Sequence, residues 1–297
     1  MGGLVPRKRH ISNSQLSTYT QCPWKWKLNY IDKVSVPDQS IHLVFGKAMH
    51  TVIQSYLKTM YTVSIRVADE LDLYKMLLIE MRKEYRVSLA INRGKQYTSQ
   101  KQMEEFYWDG VAIIDWFKKR RAEYFGKKGY ELIGCEVSLN TPIKNNVSMV
   151  GYLDVVLKNT NTNTYYIIDL KTSTWGWKAD VKKDQTKNNQ LILYKMFYAK
   201  QFDVPIENIN VEFLILKRKL WEKSDFPQKR IQRHSPASGR IKQKQLTESI
   251  EKFISEAFTS DGQRDENATY LKYPSKVNCR WCEYRNRPDL CDKNGEL

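Results

Sequence analysis

Gly151-Tyr152-Leu153-Asp154, followed by Ile167-Ile168-Asp169-Leu170-Lys171-Thr172, is the stretch whose reading decides the fold. It reads as two adjacent strands, roughly residues 148–157 and 165–171. The polar run Asn159-Thr160-Asn161-Thr162-Asn163 between them is turn chemistry and predicts a hairpin. Side chains alternate between the faces of a strand. Asp169 and Lys171 therefore share one face, while Tyr166, Ile168 and Leu170 point the other way into a core. Two acids and a lysine project from one side of an otherwise apolar hairpin, and charges placed there are costly to bury unpaired. Two carboxylates form an oxygen-rich site that suits Mg²⁺ or Mn²⁺. A lysine beside them can orient or activate an attacking water, or offset charge on phosphate oxygens. The pattern points to metal-dependent hydrolysis of phosphodiesters; the competing reading is an ion pair on a solvent-facing hairpin.

Asn189-Gln190-Leu191-Ile192-Leu193-Tyr194 opens a helix downstream, and Gln190 and Tyr194, four apart, share one of its faces. Gly-x-x-Asp, Asp-x-Lys-Thr and Gln-x-x-x-Tyr, in this order and near these spacings, resemble the RecB-like branch of the PD-(D/E)XK nucleases. The resemblance covers the core from about Tyr130 to Leu216. It implies metal binding by Asp154, Asp169 and the carbonyl of Leu170, a catalytic Lys171, and Gln190 and Tyr194 lining the site to position DNA. Glu136, in a strand expected over residues 131–139, stands where relatives often carry a glutamate, to assist the site or pair with a basic residue. Residues 209–217 predict a further strand. The implied fold is α/β: a restriction-endonuclease-like mixed sheet flanked by helices, with a helical insertion and a C-terminal cysteine cluster.

Ser12, Ser14, Leu16, Tyr19, Cys22 and Pro23 fit an S-x-S-x-L-x-x-Y-x-x-C-P segment of the same family, on a helix that starts at a capping residue. Gly46 begins a helix reaching about Tyr61, with Met49, Ile53, Tyr56, Leu57 and Met60 at helical spacing. His50 lies near this apolar stripe, where a histidine is ordinarily a packed core residue. Relatives carry Gly-x-x-x-His here, which makes His50 a metal-ligand candidate. Two long helices are expected over 68–90 and 100–125, with Trp108, Trp116 and Phe117 as packing residues. Lys118, Lys119, Arg120 and Arg121, and the later Lys229, Arg230 and Arg233 in a region read as a basic loop, are candidate DNA contacts or solvated surface. Residues 238–258 read as the last long helix.

Cys279 and Cys282 form a C-x-x-C, Cys291 follows, and Cys22 is the other cysteine outside a core strand, Cys135 lying within one. Disulfides are not expected in an intracellular DNA enzyme, and C-x-x-C more often holds a metal. Four thiolates suit Zn²⁺ or an iron–sulfur cluster, and the spacing does not separate the two. The resemblance does. One cysteine before the core and three after it, with Tyr273-Pro274 alongside, is the arrangement of iron–sulfur RecB-like nucleases, including AddB-type helicase-nuclease subunits and CRISPR-associated adaptation nucleases. It implies a [4Fe–4S] cluster.

The 297 residues carry a formal net charge of +16, with 8 Trp and 18 Tyr, a composition suited to phosphates and bases. No run is long and apolar enough for a membrane span, no secretory leader is visible, and no Gly-rich phosphate loop offers NTP hydrolysis. The expected organisation is residues 1–10 disordered or tag-derived, 11–67 N-terminal helices, 68–128 helical insertion, 129–260 nuclease core and 261–297 cluster segment. The expected protein is a cytoplasmic Mg²⁺- or Mn²⁺-dependent deoxyribonuclease, with a phage-encoded enzyme of the host cytoplasm as one form of that expectation. It acts as an exonuclease on single strands or DNA ends in recombination, repair or replication. The alternatives are a non-catalytic DNA-binding module with a structural metal cluster, and a subunit active only with protein partners in a recombination or CRISPR-adaptation complex.

Overall fold

The computed structural model describes residues 9–34 and 39–292. β1 (Arg9–Ile11) leads into α1 (Asn13–Gln21), whose first turn is capped where the Ser12 hydroxyl accepts from the Gln15 N–H. Cys22 stands extended before α2 (Pro23–Tyr30), whose opening proline has no N–H to leave unpaired. α3 (Ile41–Thr62) is the helix of the Gly-x-x-x-His motif. α4 (Ile65–Glu70) and α5 (Leu73–Ile91) follow, then α6 (Gln100–Tyr124). The single helix expected over 68–90 is thus two, because Asp72 breaks the chain and caps α5 by accepting from the Lys75 N–H. Next come β2 (Tyr130–Lys144), β3 (Val147–Asn159), β4 (Thr164–Ser173), α7 (Ala179–Lys183), α8 (Gln185–Phe202), β5 (Ile209–Lys217), β6 (Ile231–His234), α9 (Arg240–Ala257) and α10 (Lys276–Cys279).

The predicted hairpin is present. Asn159 Oδ1 accepts from the N–H groups of Asn161 and Thr162, and Asn163 is left-handed at φ 51°, so the asparagine run makes the turn. The sheet has six strands, mixed in direction. β2 and β4 flank β3 antiparallel, β5 lies parallel to β4, and β6 is antiparallel at the edge. β1 runs parallel beside the first residues of β3. Residues 9 and 10, grouped in the sequence reading with a disordered or tag-derived start, are therefore part of the sheet; residues 1–8 lie outside the described residues. Arg233, expected in a loop, is in β6.

Helices cover both faces. On one side α1, α2, α8 and α9 bring Leu16, Trp26, Leu191 and Phe253 onto Leu153, Ile167 and Phe213. On the other, α3, α5 and α6 bring Met49, Ile53, Leu77 and Ile113 onto Val155, Ile168 and Leu170. The block expected as an insertion (68–128) thus supplies part of a helical layer. Buried Arg218, just past β5, pins it by an ion pair to Asp109 of α6 at 2.9 Å. Trp108 corrects one expectation: it is exposed, while Phe117 is buried. Among the described residues no helix is long and apolar enough to cross a membrane.

Candidate active site

β3 and β4 pair only as far as Val155–Ile168. Beyond that point β4 continues beside β5 to Ser173, while β3 turns toward β1. Side-chain alternation along β3 slips here: Leu153 and Val156 enter one apolar layer, Val155 and Leu157 the other. Asp154 sits at the slip, and its Oδ2 accepts a 2.7 Å hydrogen bond from the Leu170 N–H. The carboxylate thus occupies the fork between two separating strands. Glu136, between the registered pairs Cys135–Val155 and Val137–Leu153, faces the same point across β2. Its φ of 55° is left-handed, a strain on the order of 1–3 kcal/mol of the kind concentrated at functional sites.

Asp169 is only 2 % exposed. Its Oδ1 accepts from Gln190 Nε2 at 2.8 Å, and Lys171 Nζ stands 2.6 Å from Oδ2. Lys171 is the partner of Oδ2, and a buried carboxylate oxygen with one such partner keeps a second acceptor position. Burial raises the Asp169 carboxyl above the usual range; Lys171 pulls it down and Asp154 pushes it up again. From α3, His50 Nδ1 comes within 3.5 Å of Asp154 Oδ2. Burial lowers the His50 imidazole, but the hydrogen bond and charge of Asp154 outweigh it and the net shift is upward. α8 brings its Gln-x-x-x-Tyr face from the opposite layer. Gln190 Nε2 also donates to Tyr194 Oη at 3.1 Å, and burial with the nearby Asp169 charge raises the phenol.

The glycine of Gly-x-x-Asp now has a physical reason. A Cβ on Gly151 would meet the Tyr194 ring at 2.9 Å, so only glycine lets that ring lie against β3. At Gly46 a Cβ would make an ordinary 3.4 Å contact with Thr172, so space does not demand glycine there. One participant was missed from sequence. Gln54, one turn after His50 on α3 and 6 % exposed, donates from Nε2 to Glu136 Oε1 at 2.6 Å and to the Asp154 carbonyl at 3.1 Å. Its position four residues beyond His50 was the available signal.

The structure therefore brings His50, Glu136, Asp154, Asp169, Leu170, Lys171, Gln190 and Tyr194 together. Most of the basic residues singled out from sequence carry internal partners instead. Lys118 donates to the Asp69 carbonyl, and Arg121 pairs with Asp69 at 3.0 Å. Arg120 lies over the Trp116 ring, and Lys229 is 3.3 Å from Glu123. Arg230 donates to the Lys217 and Arg218 carbonyls, and Arg233 grips Glu212 at 2.8 Å; Lys119 is exposed.

Cys22, Cys279, Cys282 and Cys291 line a single cavity of about 290 Å³ between α2 and the C-terminal segment. The Trp24 N–H and indole donate to the Leu271 and Leu290 carbonyls at 3.0 and 2.9 Å, and Lys25 pairs with Glu283 at 2.7 Å. Burial raises the Cys282 and Cys291 thiols. Cys135 is apart from them, its thiol pushed up to about 11 by burial, as an inert core cysteine would be. Among the described residues no three His, Cys, Asp or Glu side chains are gathered tightly enough, as placed, to hold a metal ion.

A sheet with an acid at a strand fork, a second acid and a lysine on the next strand, and helices on both faces is a nuclease-type α/β core. The profile of the PD-(D/E)XK nuclease superfamily matches residues 10–287, and the chain belongs to that superfamily. Its members are nucleases that usually use Mg²⁺ or Mn²⁺. No curated protein matches the chain.

Proposed function

We propose that this chain is a RecB-like, metal-dependent deoxyribonuclease that hydrolyses phosphodiester bonds from a DNA end. The observation that carries this reading is the convergence of Asp154, Asp169, Lys171 and His50 on one fork, with unused acceptor capacity on a buried carboxylate oxygen. By chemical type two carboxylates, an imidazole and the adjoining Leu170 carbonyl suit Mg²⁺ or Mn²⁺, and they would have to draw closer than the structure places them to share one ion. When bound, such a cation supplies Lewis acidity and lowers the pKa of a coordinated water.

This chain's own residues supply the rest. Gln190 fixes the rotation of Asp169, and Asp154 is fixed by the Leu170 N–H. The Lys171 ammonium, 2.6 Å from Asp169, is placed to orient the attacking water and to offset charge gathering on the scissile phosphate. The Tyr194 phenol retains its proton at neutral pH and can donate to a phosphate oxygen. Glu136, held by Gln54, adds negative charge behind Asp154.

The four cysteines fit a [4Fe–4S] cluster, with Zn²⁺ as the alternative. All four cysteines line one cavity of about 290 Å³, which supports a shared site, and the arrangement of one cysteine before the core and three after it favours the cluster. Among the basic candidates, Lys119 and the exposed Arg120 and Lys229, whose surface ion pairs are weak and exchangeable, suit phosphates. Lys118, Arg121, Arg230 and Arg233 hold the fold first.

The test is incubation with end-labelled linear and closed circular DNA, single- and double-stranded, with Mg²⁺, with Mn²⁺ and with neither. Metal-dependent shortening of linear DNA with circles spared is expected. Fast cutting of a closed single-stranded circle would overturn action from an end, and no cutting with either metal would overturn the nuclease reading.

A further inference from the structure

The end of the sheet just beyond Lys171 carries a feature that hydrolysis does not use. Trp175 is 50 % exposed and Trp221 65 %, and the two rings lie together with centroids 5.4 Å apart and planes 32° from parallel. Phe226, on the loop that bears Trp221, is 77 % exposed. Paired indoles left open to water, on a chain with two well-filled cores, mark a contact surface.

The platform is built rather than floppy. Gly176 N–H donates to Ser173 Oγ at 3.1 Å. Gly176 itself is left-handed at φ 91°, and a Cβ there would meet Lys217 at 2.7 Å, so this turn requires glycine. Trp177, the other neighbour of that glycine, points inward. Its N–H donates to Gln232 Oε1 at 2.7 Å, its carbonyl accepts from Gln232 Nε2 at 3.1 Å, and its ring packs 4.9 Å from Phe213. With Trp177 anchored, Trp175 is presented outward. The Trp221 segment is fixed beside it by N–H donation from Arg218 and Lys219 to the Ser173 and Thr174 carbonyls, at 2.9 and 2.8 Å.

Position and charge identify the occupant. Trp175 follows Lys171 by four residues, two of them in the bend past the end of β4, so the two Cα atoms lie at most ~14 Å apart, at the carboxyl ends of the parallel β4–β5 pair. Residues 178–187 and 219–225 carry six lysines against the four acids Asp180, Asp184, Glu222 and Asp225, and Lys178, Lys183 and Lys223 are exposed. Flat apolar rings flanked by lysines match unstacked bases on an anionic backbone, whereas a duplex hides its base faces.

We propose that Trp175 and Trp221 form a stacking platform for unpaired nucleotides of a single strand adjoining the phosphate to be cut, with Lys178, Lys183 and Lys223 following its backbone. The platform's role in cleavage rests on the nuclease reading; its binding does not.

The experiment measures affinity for fluorescent oligothymidine and for a blunt duplex by anisotropy, using full-length protein carrying Asp169→Ala so that nothing is cut. Trp175→Ala and Trp221→Ala should each weaken oligothymidine binding about tenfold, within the range found for base–aromatic stacking. Trp175→Phe and Trp221→Phe should retain most of the affinity, and duplex binding should change little. Lys178→Glu with Lys223→Glu, on exposed positions, should weaken the same binding and flatten its salt dependence. Unchanged oligothymidine affinity in the double alanine variant, with an unchanged melting temperature, would overturn the platform, as would an equal loss on duplex. Cleavage by the protein without Asp169→Ala is run in parallel. Tryptophan-dependent binding without any cutting would remove the hydrolytic assignment and leave the platform standing; cutting with tryptophan-independent binding would do the reverse.

Discussion

Asp169, proposed above as a metal ligand, is a buried carboxylate whose environment also bears on stability. Its folded pKa is raised above the unfolded one by burial, so the metal-free protein binds that proton more tightly when folded. The sign follows: this group favours the fold at low pH and the benefit is lost as pH rises above the ordinary carboxylate range. At neutral pH the charged carboxylate is a cost, which a cation bound as proposed would offset. Asp169→Asn should therefore abolish cleavage yet melt no lower than the unaltered protein in chelator, and Mn²⁺ should raise the melting temperature only of the latter. A lower melting temperature for Asp169→Asn in chelator would refute the strain. Gly151 gives a second residue-scale expectation. Gly151→Ala should push the Tyr194 ring aside and slow cleavage more than it lowers melting temperature, read from turnover and a thermal scan on the same preparation. That Asp169 and Lys171 share a strand face and Gln190 and Tyr194 a helix face was legible from the strand and helix periods; that the two faces meet was implied only by the family resemblance. The left-handed φ of Glu136 was not legible, because nothing in a glutamate announces it.

At the scale of elements, α3 acts as a two-residue arm. His50 reaches Asp154 directly, and Gln54, one turn on, holds both the Glu136 carboxylate and the Asp154 carbonyl. Gln54→Met, close in volume but without the donor, should leave the fold intact and weaken Mn²⁺ affinity or turnover by roughly 10–100-fold, as loss of an outer partner of metal ligands does. Calorimetric titration of Mn²⁺ reads the first and initial rates the second; an effect on neither would make Gln54 mere packing. The long helices and β2 to β5 were readable from periodicity. β1 and β6 were not. β1 is three residues whose pairing with β3 is non-local, and β6 is a four-residue edge strand carrying Arg233 and His234, a composition that reads as a loop. The α4–α5 break lay in an Asp72 cap hidden within an apparently continuous helical pattern.

For the whole molecule, the segment around Cys22 and the segment from Cys279 to Cys291 meet at the cysteine cavity, remote in sequence from the fork. A shared cluster there would close a very long loop, and cross-links over long loops constrain the unfolded chain most. Cys22→Ser should therefore lose visible absorbance and thermal stability in protein purified without oxygen, with activity falling only as the fold loosens. Full retention of bound metal by Cys22→Ser would refute a site shared by the two segments, and a colourless protein with one tightly held zinc would refute the iron–sulfur assignment. Cys22 was grouped with the C-terminal trio as the other cysteine outside a core strand, and only the choice of iron–sulfur over zinc came from resemblance; the contacts around Trp24 and Lys25 that bring these segments together are long-range and leave no local trace. The most direct test of the central claim is the initial rate of Mn²⁺-dependent phosphodiester cleavage by the unaltered protein and by Asp169→Ala. The assigned site predicts a fall of at least ~100-fold with DNA binding largely retained. Near-normal cleavage by Asp169→Ala would contradict it.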